Sequence, residues 1–103
     1  MSDIEILKLK VREFAVQRNW EKFHTPKNLA MAISGEVGEL LAEFQWLTPL
    51  ESENLTVQQR KAIELEIADV AIYLLRLVDV LGVDLRKVIQ EKLLINESRF
   101  PSP

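Results

Sequence analysis

Glu36-Val37-Gly38-Glu39 and, beyond residues 40–65, Glu66-Ile67-Ala68-Asp69 decide how this chain reads. Each cluster lies in a segment whose apolar residues recur at helical spacing, and residues three apart on a helix project from nearly the same side. Each cluster therefore offers two carboxylates to one patch of space. Two such pairs facing one another would gather four like charges, which oppose joint ionisation unless protons or a cation compensate them. A hard divalent metal is the natural answer. All-oxygen ligation suits magnesium, which keeps positions open for water and for phosphate oxygens.

Working outward, the segment around Glu36 is predicted as a helix from Pro26 to Trp46 or Leu47. Thr25-Pro26 has the form of an N-cap followed by proline in the first helical position, and Thr48-Pro49 stops the helix. At about 100° per residue, Leu29, Ile33, Val37, Leu40 and Phe44 make a core stripe, with Glu36, Glu39 and Glu43 along its flank. Gly35, Gly38 and Ala42 form a third, small stripe, read as close packing between helices. The segment around Glu66 opens with a capping box at Thr56-Val57-Gln58-Gln59, runs to about Leu81 and ends at Gly82. Its core stripe is Ile63, Val70, Leu74, Leu77 and Leu81, and Ala62, Glu66, Asp69 and Tyr73 share the flank. Both acid pairs thus border the core, where charge is partly desolvated and needs a partner. Neither has a Lys or Arg four residues away on its own flank to supply one.

The remaining segments complete an all-α reading. A first helix is expected from an N-cap at Asp3 to about Trp20, with Ile4, Leu7, Val11 and Phe14 as its apolar stripe. Trp20, Phe23 and His24 cluster at its exit, where His24 is either a staple packing on Leu29 or a ligand contact. Pro49 to Leu55 reads as a polar loop. Asp84 caps a last helix to about Ser98 that turns Leu85, Val88, Ile89, Leu93 and Leu94 inward and carries Lys92 and Asn96 on one face. The tail from Arg99 to Pro103 lies along the surface. Between Ile67 and Leu81 apolar residues appear on almost every side, so a second copy is expected to cover this helix, in a homodimer or a dimer of dimers.

Composition narrows the function. A length of 103 residues fits one domain over residues 1–103, and only three glycines and four prolines favour long helices with short connections, a four-helix bundle completed by homo-oligomerisation. The net charge of -3 argues against a binder of nucleic acid polymers, yet permits a nucleotide bridged through a metal. With no cysteine, disulfides, zinc fingers and thiol nucleophiles are excluded. The start, Met1-Ser2-Asp3-Ile4-Glu5, lacks the basic and apolar regions of a signal peptide, and no apolar run is long enough to span a bilayer, so a cytoplasmic protein without a membrane partner is expected. The single histidine, His24, lies outside both acidic helices, which removes a di-iron site and a nucleophilic triad.

The spacing Glu36-x-x-Glu39 to Glu66-x-x-Asp69 resembles the ExxE...ExxD signature of the MazG-like, all-alpha nucleoside triphosphate pyrophosphohydrolases. The segments Trp20 to Leu29, Gly35 to Leu40, Phe44-Gln45-Trp46, Glu66 to Val70, Ile72-Tyr73-Leu74 and Val83-Asp84-Leu85 are most similar to the dCTP pyrophosphatase branch, as is the ending Lys92-x-x-x-Asn96-x-x-Arg99-Phe100-Pro101. The resemblance covers essentially the whole chain. It implies magnesium-dependent hydrolysis of a triphosphate, such as dCTP or a related or modified pyrimidine nucleotide, to monophosphate and pyrophosphate in a helical homo-oligomer. Carried over by residue, Glu36, Glu39, Glu66 and Asp69 would hold magnesium, with Glu39 acting on the attacking water. Lys92, Asn96 and Tyr73 would meet phosphate, while Trp20, Trp46, His24 and Phe23 would face the base. The position where some relatives carry a polar pocket residue on the first helix corresponds to Val11 or a neighbour. A phosphoribosyl-ATP pyrophosphohydrolase and a non-catalytic dimerisation module are the alternatives.

Overall fold

Helix α1 spans Asp3–Gln17 in the computed structural model, which describes residues Met1–Pro103. Its N-cap is Ser2 and not the expected Asp3: Ser2 Oγ accepts from the Glu5 amide at 3.2 Å, and Asp3 sits in the first turn, where its charge complements the helix dipole. The helix also ends before Trp20. Asn19 adopts a left-handed conformation (φ 56°), and the Trp20 and Asn19 amides donate back to the carbonyls of Ala15 and Val16, each at 3.0 Å. This is a Schellman termination in which asparagine replaces the usual glycine. A single 3-10 turn, Glu21–Phe23, then leads to Thr25, whose hydroxyl caps α2 (Pro26–Phe44) by accepting from the Asn28 amide at 3.2 Å.

Helix α2 ends at Phe44, short of the expected Trp46 or Leu47, and Thr48-Pro49, expected as its stop, instead begins α3 (Pro49–Glu53) where a polar loop was expected. The reason is a capping box: Thr48 Oγ1 accepts from the Glu51 amide at 3.1 Å, and the Thr48 amide donates to Glu51 Oε1 at 2.9 Å. The expected box at Thr56 and Gln59 opens α4 (Val57–Leu81), with paired distances of 3.1 and 2.9 Å. Gly82 closes α4 at φ 68°, and the Val83 amide donates back to the Val78 carbonyl at 2.8 Å. Asp84 caps α5 (Leu85–Arg99) by accepting from the Lys87 amide at 3.2 Å.

The chain is all-helical, and α4 is its centre, with α2 packed along it and α1 beside it. The core is small: Ala15, Leu29, Ile63 and Val78 are its buried apolar residues. Leu29 and Ile63 belong to the expected stripes, whereas Val37, Leu74 and Leu81 are exposed, as are Leu7 and Phe14 on α1. On α4 Arg76 and Val78 are buried besides Ile63, and two residues apart on a helix they point to opposite sides, so α4 is covered from more than the one predicted side. The inward turn expected of α5 is absent within one chain. None of its residues is buried, and Leu93, Leu94 and Ile95 remain more than half exposed. The bundle of one chain is therefore three long helices, with α5 standing apart from their core. A radius of gyration of 16.5 Å, against about 13 Å for a compact domain of this length, expresses the same open shape. Gly35 and Gly38 do not mark close helix packing inside the chain, because a Cβ at either would meet no atom within 4 Å.

Candidate functional site

Packing of α2 on α4 brings Glu36 against Glu66 and Asp69, so that one carboxylate oxygen from each lies within 4.8 Å of the others. Glu66 and Asp69 share a face because three residues separate them on α4, and Glu36 reaches them from the neighbouring helix. None of these acids, nor Glu39, takes part in a salt bridge. The Glu66 carboxyl is held above its ordinary range, first by burial and then by the charges of Asp69, Glu36, Glu39 and Glu43. Its Oε2 is sealed from solvent without a hydrogen-bond partner. Three converging carboxylates, one with an orphaned oxygen, are a donor set that fits a hard divalent cation. Glu39 is exposed and stands outside the three-oxygen set, though its charge acts on Glu66.

A cavity of about 230 Å³ adjoins the acids and shares Asp69 with them. Val11, Phe14 and Ala15 of α1, Trp20 and His24 of the connecting turn, and Ile72, Tyr73 and Arg76 of α4 complete its lining. The left-handed turn at Asn19 places the aromatic residues here. Phe14 and Trp20 meet edge to face at 5.6 Å, and Trp20 and His24 at 6.1 Å. The Arg18 guanidinium lies 3.4 Å over the Phe14 ring, bracing that wall from outside.

Behind the cavity runs a polar chain. Arg76 Nε donates to His24 Nδ1 at 3.0 Å, and Arg76 Nη1 donates to Asp79 Oδ2 at 3.0 Å. Arg12 Nε donates to the same oxygen at 2.8 Å, and its Nη2 pairs with Asp79 Oδ1. The Asp79 carboxyl is held below its usual range, chiefly by the Arg12 hydrogen bond and further by the charges of Arg12 and Arg76, which together outweigh burial. His24 is lowered by burial and then by the Arg76 charge, both of which favour neutral imidazole.

Among the residues singled out from sequence, Tyr73, Trp20 and His24 line the cavity with Asp69. Phe23 and Trp46 do not; they are 59% and 86% exposed. Lys92 is exposed on α5, and Asn96 on the same helix has its Oδ1 sealed without a partner. Sequence reasoning missed Arg76, Asp79 and Arg12 altogether. The available signal was one cation inside the apolar run Leu74-Leu75-Arg76-Leu77-Val78, since arginine enters a core only when paired.

Comparison with known proteins gives a concordant picture. The chain is 44% identical over 92 residues to human dCTP pyrophosphatase 1, an alignment covering 87% of this chain and 54% of the human protein. It is 43% identical over 91 residues to the rat protein of that name, covering 86% of this chain and 54% of the relative. The chain thus spans about half the length of the curated relatives it matches. A crystal structure of a pyrophosphatase from Archaeoglobus fulgidus superposes with a TM-score of 0.92 at 42% identity, covering 99% of this chain and 95% of that one. The MazG-like family profile matches residues 31–102, a span that contains both acid pairs, most of α2 and all of α4. With architecture, acidic pairs and profile in agreement over most of its length, the chain belongs to the MazG-like family.

Proposed function

We infer that the chain, acting as one domain, hydrolyses a nucleoside triphosphate to the monophosphate and pyrophosphate, with dCTP or a related or modified pyrimidine deoxynucleotide as substrate. The observation that carries this reading is the sharing of Asp69 between an unneutralised carboxylate cluster and an aromatic-lined cavity. One ligand with a polyanionic end and a flat end would use both. The names of the relatives, dCTP pyrophosphatase and pyrophosphatase, support the same chemistry.

In this reading Glu36, Glu39, Glu66 and Asp69 hold magnesium, which supplies charge neutralisation for the triphosphate and acidifies a water. Glu39, the exposed member, orients the attacking water and accepts its proton. Trp20 and His24 flank the base, and Tyr73, one turn beyond Asp69, reaches the phosphates from the cavity wall. Lys92 and Asn96 meet phosphate oxygens, while Phe23 and Trp46 close over the base once a second copy is in place. A homodimer or homotetramer is part of the proposal, because the open chain leaves α5 and much of α4 uncovered. No helix is long and apolar enough to cross a membrane. A cytoplasmic role in nucleotide-pool cleansing is part of the proposal.

Pyrophosphate release from a panel of canonical and modified triphosphates, with magnesium and with products identified, tests the proposal. The expected result is deoxycytidine monophosphate and pyrophosphate from dCTP, with turnover abolished in Glu39→Gln and Asp69→Asn while helical circular dichroism is retained. Undiminished turnover in either variant overturns the residue roles. No release from any triphosphate overturns the enzyme reading, and selective cleavage of phosphoribosyl-ATP replaces the substrate.

A further inference from the structure

Arg76 is the one charged residue buried in the core, at 6% exposure, and it lies in the cavity wall without touching the acid cluster. Burying a guanidinium is costly unless its donors are matched, and Arg76 matches one to Asp79 and one to an imidazole. The second pairing has a chemical consequence. A guanidinium has donors and no acceptor, so the His24 nitrogen that faces it, Nδ1, must present a lone pair. The imidazole proton then resides on Nε2, and Nε2–H is the only polar group the His24 side chain has left for a ligand. Arg76 is itself held in place: Asp79 accepts from it and from Arg12, so α1 and α4 grip the same carboxylate. Elsewhere the lining is largely apolar or aromatic, from Val11, Phe14, Trp20 and Ile72. In such surroundings one fixed donor is worth more as a discriminator than it would be in water.

We propose that Arg76, anchored by Asp79 and Arg12, is a positioning residue that fixes His24 as an Nε2–H donor, so that the cavity holds a base through its carbonyl oxygen or an unprotonated ring nitrogen. The proposal rests on the reading above that this cavity receives the base. Because the donor is set by a core arginine and not by solvent, base recognition depends on a residue that acts through His24.

Two measurements test it. The protein has a single histidine, so imidazole-labelled protein yields one nitrogen pair in a long-range proton–nitrogen correlation spectrum. The expected spectrum of the free wild type has an unprotonated Nδ1 and a protonated Nε2, and Nε2 shifts on addition of a non-hydrolysable dCTP analogue. The second measurement compares kcat/KM for dCTP with that for 2-deoxyribose 5-triphosphate, which carries no base. Arg76→Leu and His24→Ala should each reduce the preference for dCTP by about 10-fold to 100-fold, mainly through KM. The double variant should show no further loss of preference beyond His24→Ala, since Arg76 acts through His24. A protonated Nδ1, an Nε2 that ignores the analogue, or equal losses on both substrates in Arg76→Leu would overturn the proposal while leaving the pyrophosphohydrolase reading intact. Should Arg76→Leu fail to fold, the spectrum and His24→Ala still decide. Absence of turnover by the wild type on any triphosphate defeats the reading of function and this proposal with it.

Discussion

Glu66 and His24 carry opposite electrostatic tensions, and each can be read out alone. Glu66 has an orphaned oxygen and a carboxyl raised by burial and by four acidic neighbours. A ligand that binds only the folded state stabilises it by mass action. Magnesium at about 100 times its Kd should therefore raise Tm by on the order of 10 °C, measured by thermal melts with and without chelator. Glu66→Gln should melt no lower than the metal-free wild type and lose most of that response. His24 has a folded pKa below its ordinary 6.5, so the unfolded chain binds the proton more readily. Its contribution to stability is complete above pH 6.5 and is lost as pH falls from there through the lowered value. Asp79 behaves alike in a more acidic window: its stabilisation is complete above 3.8 and lost as pH falls through its depressed value. Glu66, raised, has the contrary sign, its contribution being full below 4.5 and lost as pH rises through its folded value. Tm against pH in wild type and His24→Gln separates them. The variant should show a shallower loss just below pH 6.5, and an unchanged slope would remove His24 from the account.

At the scale of elements, the caps decide where helices begin and end, and most of them are local enough to read in advance. Thr25, Thr56, Gly82 and Asp84 act as their sequence context demands. Two of the exceptions share a cause, which is that competing local signals occupied one stretch. Ser2 and Asp3 are both good caps, and Thr48-Pro49, which carries the signals of a stop and of a start, acts as the start of the next helix. Gly82 offers the clearest test. A Cβ there meets no atom within 4 Å, so alanine is opposed only by the left-handed φ of 68°. Gly82→Ala should cost about 1 kcal/mol and lower Tm by roughly 4 to 8 °C, with activity at low temperature retained. An unchanged melting temperature would mean that the α4–α5 connection tolerates another backbone geometry.

For the whole molecule, the apolar residues outnumber the surfaces that one chain can cover. Leu93, Leu94 and Ile95 on α5 and Leu65, Ile67, Leu74 and Leu81 on α4 remain exposed, beside a core of four apolar residues. Light scattering after size exclusion should return a dimer or tetramer, and Leu94→Glu should shift it toward monomer with a lower Tm. A monodisperse wild-type monomer would reject the assembly. Gly38→Ala adds a discriminating arm. In the isolated chain it should be neutral or stabilising by up to about 1 kcal/mol, whereas a loss of assembly would place a second backbone against that face.

The helical class, the caps at Thr25, Thr56, Gly82 and Asp84, and the two acidic pairs were legible in the residues themselves, because periodicity, capping and i,i+3 geometry act over a few neighbours. The chain alone also carried the family, through motifs spread over nearly its whole length. What it could not disclose was set by contacts between distant segments. The packing of α2 on α4 selected Glu36, Glu66 and Asp69 as the convergent set, and the reversal at Asn19 brought Trp20 and His24 beside Asp69. The pairing of Arg76 with His24, and of Asp79 with Arg12 across 67 positions, follows no local spacing, since hydrogen-bond partners from separate helices are chosen only once those helices dock.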